Sequence, residues 1–199
     1  MKVLLAIDGS GPSLMARDLV AGLNWPEGTQ IHVVAAYDVP RDWTGALGSG
    51  MAWVGDAGDA IRDELDEQLG TAAEPLVARG LGVERHVVAG RAATEILGVA
   101  GRIGADLIVS GSRGRGRLAS MLLGSVAAEV AADAPCPVLV ARSTSVTRLL
   151  VATDGSNAAN AIPDRLAALG AFAGLPADAV AVAVPDSPAF ELMVGLYTL

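Results

Sequence analysis

Short apolar runs alternate with helical patterns along the first 142 residues, and this alternation limits the possible folds more than any other feature. The run at 2–7 is continuous, contains β-branched residues and ends at the turn residues Asp8-Gly9-Ser10. These properties predict a buried strand. Further strands are predicted at 31–37, 81–88, 106–110 and 136–141, with helical spacing of apolar residues between them. Strands that alternate with helices predict βαβ units and a parallel sheet.

The predicted fold class is α/β, with a five-stranded parallel sheet in the order 3-2-1-4-5. Right-handed crossovers place helices on both faces of such a sheet. The direction of growth reverses between strands 1 and 4, and ligands bind at the carboxyl ends of the strands beside such a reversal. Asp8 ends strand 1 and Gly111 follows strand 4, so we expect both at this crevice. Residues 38–57 are predicted to be a long loop, which at this length is either functional or mobile, and in which Trp43 and Trp53 either cover a ligand or pack locally.

Composition excludes several classes of protein. The chain has 199 residues, 52% of them hydrophobic, which is enough for a core. A net charge of −8 argues against sequence-independent nucleic-acid binding. The single cysteine, Cys136, excludes a disulfide framework and a cysteine-rich zinc site. No apolar stretch is long enough to cross a membrane, so we expect a soluble protein in a reducing, cytoplasmic setting.

The motif that carries chemistry follows the fourth predicted strand. It reads Gly111-Ser112-Arg113-Gly114, then nine residues, then Gly124-Ser125 at the start of a predicted helix. Glycines let the backbone approach an anion and take positive φ, and successive amides form an anion-binding nest. The helix start adds unpaired amides and the positive end of its dipole. Arg113 can pair with phosphate oxygens, whereas Arg115 and Arg117 either do the same or are only solvated.

This arrangement, together with the runs 3–10 and 134–140, resembles the ATP-binding branch of the universal stress protein family. The resemblance implies a Rossmann-like sheet over residues 1–142, ATP as ligand with Mg²⁺ accompanying it, and a homodimer that pairs through the fifth strand, Pro137 to Ala141. It also implies a set of nucleotide-binding residues drawn from strand ends and glycine-rich turns: Ala6, Ile7, Asp8, Ala36, Ser110, Gly111, Arg113, Gly114, Gly124, Ser125 and Val126.

The first motif recurs near the end of the chain. The run 3–10 is repeated at 149–156 and ends again in Asp-Gly-Ser, at Asp154-Gly155-Ser156. Residues 147–199 are therefore predicted to be an incomplete second repeat of β-α-β type. Because this repeat has no glycine loop to accompany Asp154, we expect no second nucleotide site within the chain.

The sequence favours an ATP-binding stress-response module with little or no turnover. It contains no Gly-x4-Gly-Lys-Ser/Thr loop and no Gly-x-Ser-x-Gly elbow. Asp8 either contacts the nucleotide or only complements a helix dipole, and His32, His86 and Cys136 are interpreted as structural strand residues. One alternative is a slow adenine-nucleotide hydrolase, although the Ser-Gly-Gly-x-Asp-Ser loop of that class is missing. Another is a nucleotide-free module that assembles through strand 5 and the partial repeat.

Overall fold

A computed structural model describes residues 1–38, 51–114 and 123–181, with the backbone alone for 51–57. The chain divides into two compact units. Residues 1–146 and 169–171 form the first unit, and residues 147–168 and 172–199 form the second. In the described residues, no helix has both the length and the apolar character needed to cross a bilayer.

The first unit contains a five-stranded parallel sheet in the order β3-β2-β1-β4-β5, which confirms the predicted fold class and strand order. Helices connect the strands. The strands are β1 (Lys2–Ala6), β2 (Gln30–Tyr37), β3 (Gly82–Ala89), β4 (Leu107–Gly111) and β5 (Val138–Ala141), and the helices are α1 (Gly11–Gly22), α2 (Met51–Ala78), α3 (Ala92–Ile103) and α4 (Ser125–Asp133).

The core lies around the central strands, as continuous apolar runs predict. Leu4 of β1 and Ile108 of β4 are fully buried, and Val34 of β2 is 1% exposed. On one face of the sheet they form a cluster with Ile96 and Val99 of α3. Burial of each such side chain contributes about 1.5–3 kcal/mol to folding. The core therefore fixes the central strands, whose carboxyl ends form the site described below.

Helix α2 corrects one prediction. It begins at Met51, so residues 51–57 are helical, and the predicted loop over 38–57 is wrong for that part. Residues 39–50, which include Trp43, and the side chain of Trp53 lie outside the described residues. The interpretation of the two tryptophans as a cover over a ligand is therefore untested.

The second unit contains β6 (Leu149–Thr153), α5 (Asn157–Asn160), α6 (Ile162–Leu169) and β7 (Ala177–Ala181). Strands β6 and β7 pair in parallel, which is the arrangement of β1 and β2. The turn after β6 also has the local geometry of the turn after β1. The amide of Ser156 donates to the Asp154 carboxylate over 2.9 Å, and the amide of Ser10 donates to the Asp8 carboxylate over the same distance.

Candidate functional site

A cavity of about 250 Å³ opens at the carboxyl ends of β1, β2 and β4, where the strand order reverses. All eleven residues that the sequence assigned to a nucleotide site line it, although they come from four separate segments of the chain. Five further lining residues were not predicted from the sequence: Ser13, Val34, Ala92, Ile96 and Ala127. Val34 could have been found, because side chains two apart on a strand share a face and Ala36 was already assigned.

The turn after β1 holds the Asp8 side chain in place. Oδ1 of Asp8 accepts a hydrogen bond from the Ser10 amide over 2.9 Å. Ser10 in turn caps helix α1, since its Oγ accepts from the Ser13 amide over 3.3 Å. The second oxygen of the carboxylate, Oδ2, lies against the glycine loop, because a Cβ built on Gly114 would lie 2.7 Å from it. Asp8 is thus positioned between the first strand and the Gly111–Gly114 bend.

The two glycine bends are adjacent in space. The amide of Gly124 donates a hydrogen bond to the Ser112 carbonyl over 2.8 Å. A Cβ built on Gly124 would lie 3.2 Å from the Cα of Arg113 and 3.7 Å from the amide nitrogen of Gly114. The nine intervening residues therefore do not separate the two halves of the motif.

The glycines of this motif allow neighbouring backbone segments to lie close together, and they do not adopt unusual backbone angles. Gly124 has φ −69° and ψ 156°, which any residue can adopt. Gly111 and Gly114 are also absent from the described glycines with positive φ, so the prediction of positive φ in this loop is wrong. Instead, a Cβ on Gly111 would lie within 2.5 to 2.7 Å of backbone atoms of Pro12 and Ser13. Gly111 therefore lets the end of β4 pack against the start of α1.

Helix α4 presents its N-terminus to the cavity. Its N-cap is Gly124, and no side chain caps the first turn. Ser125, Val126 and Ala127, the first three helical residues, all line the cavity. The amides of a first helical turn have no partner within the helix, and the helix dipole adds positive potential there. The arrangement is suited to binding an anion.

A buried hydroxyl adds a polar group to the cavity wall. Ser110 lines the cavity and is 5% exposed, and its Oγ has no hydrogen-bond partner in the described part of the chain. An unsatisfied buried hydroxyl costs about 1–3 kcal/mol. Rotation about χ1 can redirect it, so a bound ligand can satisfy it.

The cavity lining combines apolar side chains with a few polar groups. The apolar residues include Val34, Ala36, Ala92 and Ile96, and the polar groups include the side chains of Asp8, Ser110 and Arg113. Such a combination is typical of small-molecule sites, in which an apolar wall carries a few convergent polar groups.

Helices α3 and α4, which flank the cavity, are joined by an ion pair outside it. Both terminal nitrogens of the Arg91 guanidinium contact the two carboxylate oxygens of Glu129. The hydrogen bond and charge of Glu129 raise the pKa of Arg91 above its usual value. Since Arg91 is exposed, the pair contributes little to stability, although it links the start of α3 to α4.

Ionisable groups are few at this site. Among the described lining residues, Asp8 and Arg113 are the ionisable ones. Arg115 and Arg117, which the sequence offered as further cations, lie outside the described residues. His32 and His86 lie on β2 and β3 and do not line the cavity, and neither does Cys136. Asp8 is therefore the one carboxylate among the described lining residues.

Comparison with known proteins identifies a family over most of the chain. The model for the universal stress protein family matches residues 1–142. A universal stress protein of Thermus aquaticus is 35% identical over 141 residues, which make up 70% of this chain and 97% of that protein.

Two solved structures have a similar fold. Hypothetical protein MJ0577 matches with a TM-score of 0.62 and 24% identity, covering 70% of this chain and 93% of that one. A universal stress protein in complex with cAMP matches with a TM-score of 0.50 and 24% identity, covering 71% of this chain and 96% of that one. At this level of identity the likeness concerns the fold alone.

Proposed function

The chain belongs to the universal stress protein family, and from that premise we propose that it is an ATP-binding regulatory module with little or no turnover. One observation carries the proposal. Residues from four separate segments, all assigned to a nucleotide from sequence, line a single cavity at the reversal point of the sheet. The start of α4 has no side-chain cap and the Ser110 hydroxyl has no hydrogen-bond partner among the described residues, so both offer unsatisfied polar groups to a ligand in this cavity.

The phosphates of ATP are assigned to the two glycine bends and the start of α4. The amides at the start of α4 and of Gly114 donate hydrogen bonds to phosphate oxygens, and the Arg113 guanidinium supplies positive charge. The contact distances around Gly114 and Gly124 are consistent with this assignment, because a larger residue at either position would displace the Asp8 carboxylate or the Arg113 backbone, which are parts of the site. On a chain of net charge −8, local donors of this kind are needed to bind a polyanion.

The adenine is assigned to the β2 part of the lining, and the ribose to Asp8. Val34 and Ala36 on β2 offer apolar contacts to a base, and a ribose hydroxyl can donate to the Asp8 carboxylate. The fold likeness to a universal stress protein crystallised with cAMP supports an adenine nucleotide as ligand. When ATP is bound, Mg²⁺ would accompany its phosphates, since Mg²⁺ prefers oxygen ligands.

Low turnover follows from the scarcity of catalytic groups. Hydrolysis needs a group that positions and deprotonates water, and Asp8 is the one described carboxylate at the cavity. Its Oδ1 already accepts the Ser10 amide. We therefore assign Asp8 to binding, and the protein to a role in which ATP changes its state rather than being consumed.

Assembly as a homodimer is part of the same proposal. β5 is at one edge of the sheet, and no described strand pairs with its outer side. An open edge can pair with the same edge of a second copy about a two-fold axis. Residues 147–199 are assigned to an incomplete second repeat, supported by the repeated turn geometry at Asp154 and Ser156.

Calorimetric titration with ATP, AMP and GTP tests this proposal. We expect ATP to bind at least about tenfold more tightly than AMP, because each charged phosphate contact is worth about 1.5–3 kcal/mol. Replacement Gly114→Val, which crowds the Asp8 carboxylate, should lower ATP affinity by a similar factor. The matched control is Gly101→Ala, where an added Cβ meets nothing within 4 Å.

Phosphate release measured on the same samples separates the alternatives. Steady multiple turnover that Asp8→Ala abolishes would replace the proposed module with a slow nucleotide hydrolase. Absence of any heat with millimolar nucleotide would favour the interaction module instead.

A further inference from the structure

Both histidines of the 199-residue chain lie side by side, although 54 residues separate them in sequence. His32 is on β2, and His86 is on the edge strand β3. The register pairs His32 with Glu84 and Val34 with His86. Side chains two apart on a strand share a face, so His32, Glu84 and His86 project to the same side of the sheet.

The three side chains have the spacing of ligands around one small cation. Nδ1 of His32 lies 3.0 Å from Nε2 of His86. Glu84 places one carboxylate oxygen 3.6 Å from Nδ1 of His32 and the other 3.7 Å from Nε2 of His86. In a tetrahedral zinc site with bonds of about 2.0–2.1 Å, neighbouring ligand atoms are about 3.3–3.4 Å apart. The three observed separations differ from this value by a few tenths of an ångström, and a bound cation would replace the hydrogen bond between Nδ1 of His32 and Nε2 of His86.

The His32 ring is buried, and its polar contacts are at Nδ1. The side chain is 5% exposed, and its Nε2 has no hydrogen-bond partner within the described residues. Its hydrogen bond to His86 and its contact with Glu84 both involve Nδ1, the atom that would bind the ion. Glu84 is 66% exposed, so the cluster opens to solvent on that side, and an ion can enter. A buried imidazole facing a second imidazole and a carboxylate is a donor set for a metal ion.

We propose that His32, Glu84 and His86 bind a divalent first-row transition metal, with Zn²⁺ as the expected ion and water in the fourth position. Two imidazole nitrogens and a carboxylate suit Zn²⁺ and its neighbours, whereas Mg²⁺ and Ca²⁺ prefer sites made of oxygen alone. His32 lies two residues before Val34, about 7 Å along β2 from this lining residue of the nucleotide cavity, and His86 is the register partner of Val34. The ion would join the edge strand β3 to β2, next to the β2 part of the cavity lining.

Metal titration of the tag-free full-length chain, stripped with a chelator and free of nucleotide, tests the proposal. We expect one Zn²⁺ per chain, competition between Zn²⁺ and Co²⁺, and the intense visible absorption of tetrahedral Co²⁺. At a hundredfold excess of Zn²⁺ over its Kd, the melting temperature should rise by about 5–10 °C. Mg²⁺ at the same concentration should leave it unchanged.

Variants locate the ion. Glu84→Gln and His86→Asn should each weaken Zn²⁺ binding at least about tenfold. Glu27→Gln, an exposed carboxylate replaced outside the cluster, and Cys136→Ser should bind like the original chain. Circular dichroism checks that each variant is folded. The proposal is overturned if the stripped chain takes up no Zn²⁺, if both cluster variants keep full affinity, or if Cys136→Ser removes the binding.

Discussion

Two buried serines on the wall of one cavity differ in a way that predicts opposite effects of the same substitution. Ser110 Oγ has no hydrogen-bond partner among the described residues. Ser13 Oγ donates to the Ser10 carbonyl over 2.9 Å and accepts from the Asp8 amide over 3.4 Å. Both residues line the cavity, and both are at most 5% exposed. Replacement by alanine removes one oxygen in each case.

The expected magnitudes follow from the cost of an unpaired hydroxyl. Without nucleotide, Ser110→Ala removes a group whose burial costs about 1–3 kcal/mol, so the free energy of unfolding should rise by about 1 kcal/mol. Ser13→Ala breaks two hydrogen bonds and leaves the Ser10 carbonyl and the Asp8 amide without that partner, so the free energy of unfolding should fall by about 1–2 kcal/mol. For a chain of this size the melting temperature changes by about 2–4 °C per kcal/mol.

Ser110→Ala should stabilise the nucleotide-free protein but weaken its binding of ATP. If its hydroxyl bonds to bound ATP, Ser110→Ala loses about 0.5–1.5 kcal/mol of binding energy, or about two- to tenfold in Kd. Denaturant unfolding of the nucleotide-free variants and calorimetric titration with ATP provide the two measurements. The reasoning is refuted if Ser110→Ala destabilises the nucleotide-free protein as much as Ser13→Ala does, or if it leaves the Kd for ATP unchanged.

Other predictions concern packing, reactivity and assembly. Gly111→Ala should lower the free energy of unfolding by about 1–3 kcal/mol, because the added Cβ would meet backbone atoms. Gly101→Ala in α3, where the added Cβ meets nothing within 4 Å, should raise it by about 0.5–1 kcal/mol. Thermal melts that reversed this ranking would contradict the packing argument. Burial and, to a lesser extent, the negative charge of Asp106 raise the pKa of the Cys136 thiol. Alkylation of Cys136 at pH 8 should therefore be slower in the folded protein than for free cysteine, and it should become as fast once the protein is unfolded. Equal rates in the folded protein and in free cysteine would refute this. The carbonyls of Pro137 and Ala141 accept hydrogen bonds from the amides of Ile108 and Ser112, so the Val140 amide points to the open edge of the sheet. Val140→Pro removes this amide and should shift a dimer towards monomer in light scattering without unfolding the protein. An unchanged mass would exclude pairing through β5.

The sheet, and the grouping of the predicted site residues around one cavity, were predictable because they depend on patterns that a sequence carries directly. Continuous apolar runs such as 2–7 identify buried parallel strands. Once the order 3-2-1-4-5 is inferred, the reversal point places Asp8 and Gly111 at one edge without further information. The motif spacing then predicts Gly124 at the same edge of the sheet. In the structure, the Gly124 amide donates a hydrogen bond to the Ser112 carbonyl, which places it there.

Features that depend on tertiary contact were not predictable. Helix α2 begins at Met51 although Gly55 and Gly58 follow within two turns, because intrinsic propensity is only a weak preference. The backbone angles of the motif glycines depend on how closely β4 approaches α1, which no local pattern reports. The meeting of His32 with His86 depends on the register between β2 and β3, so each histidine alone was taken as an ordinary strand residue.

A crystal structure of the chain grown with ATP and Mg²⁺ tests the central claim most directly. The account predicts phosphate oxygens about 2.7–3.2 Å from the amides of Ser125 and Val126, with the adenine against Ala36. A nucleotide bound outside this cavity, or bound with its base at the start of α4 and its phosphates against Val34, would contradict the account.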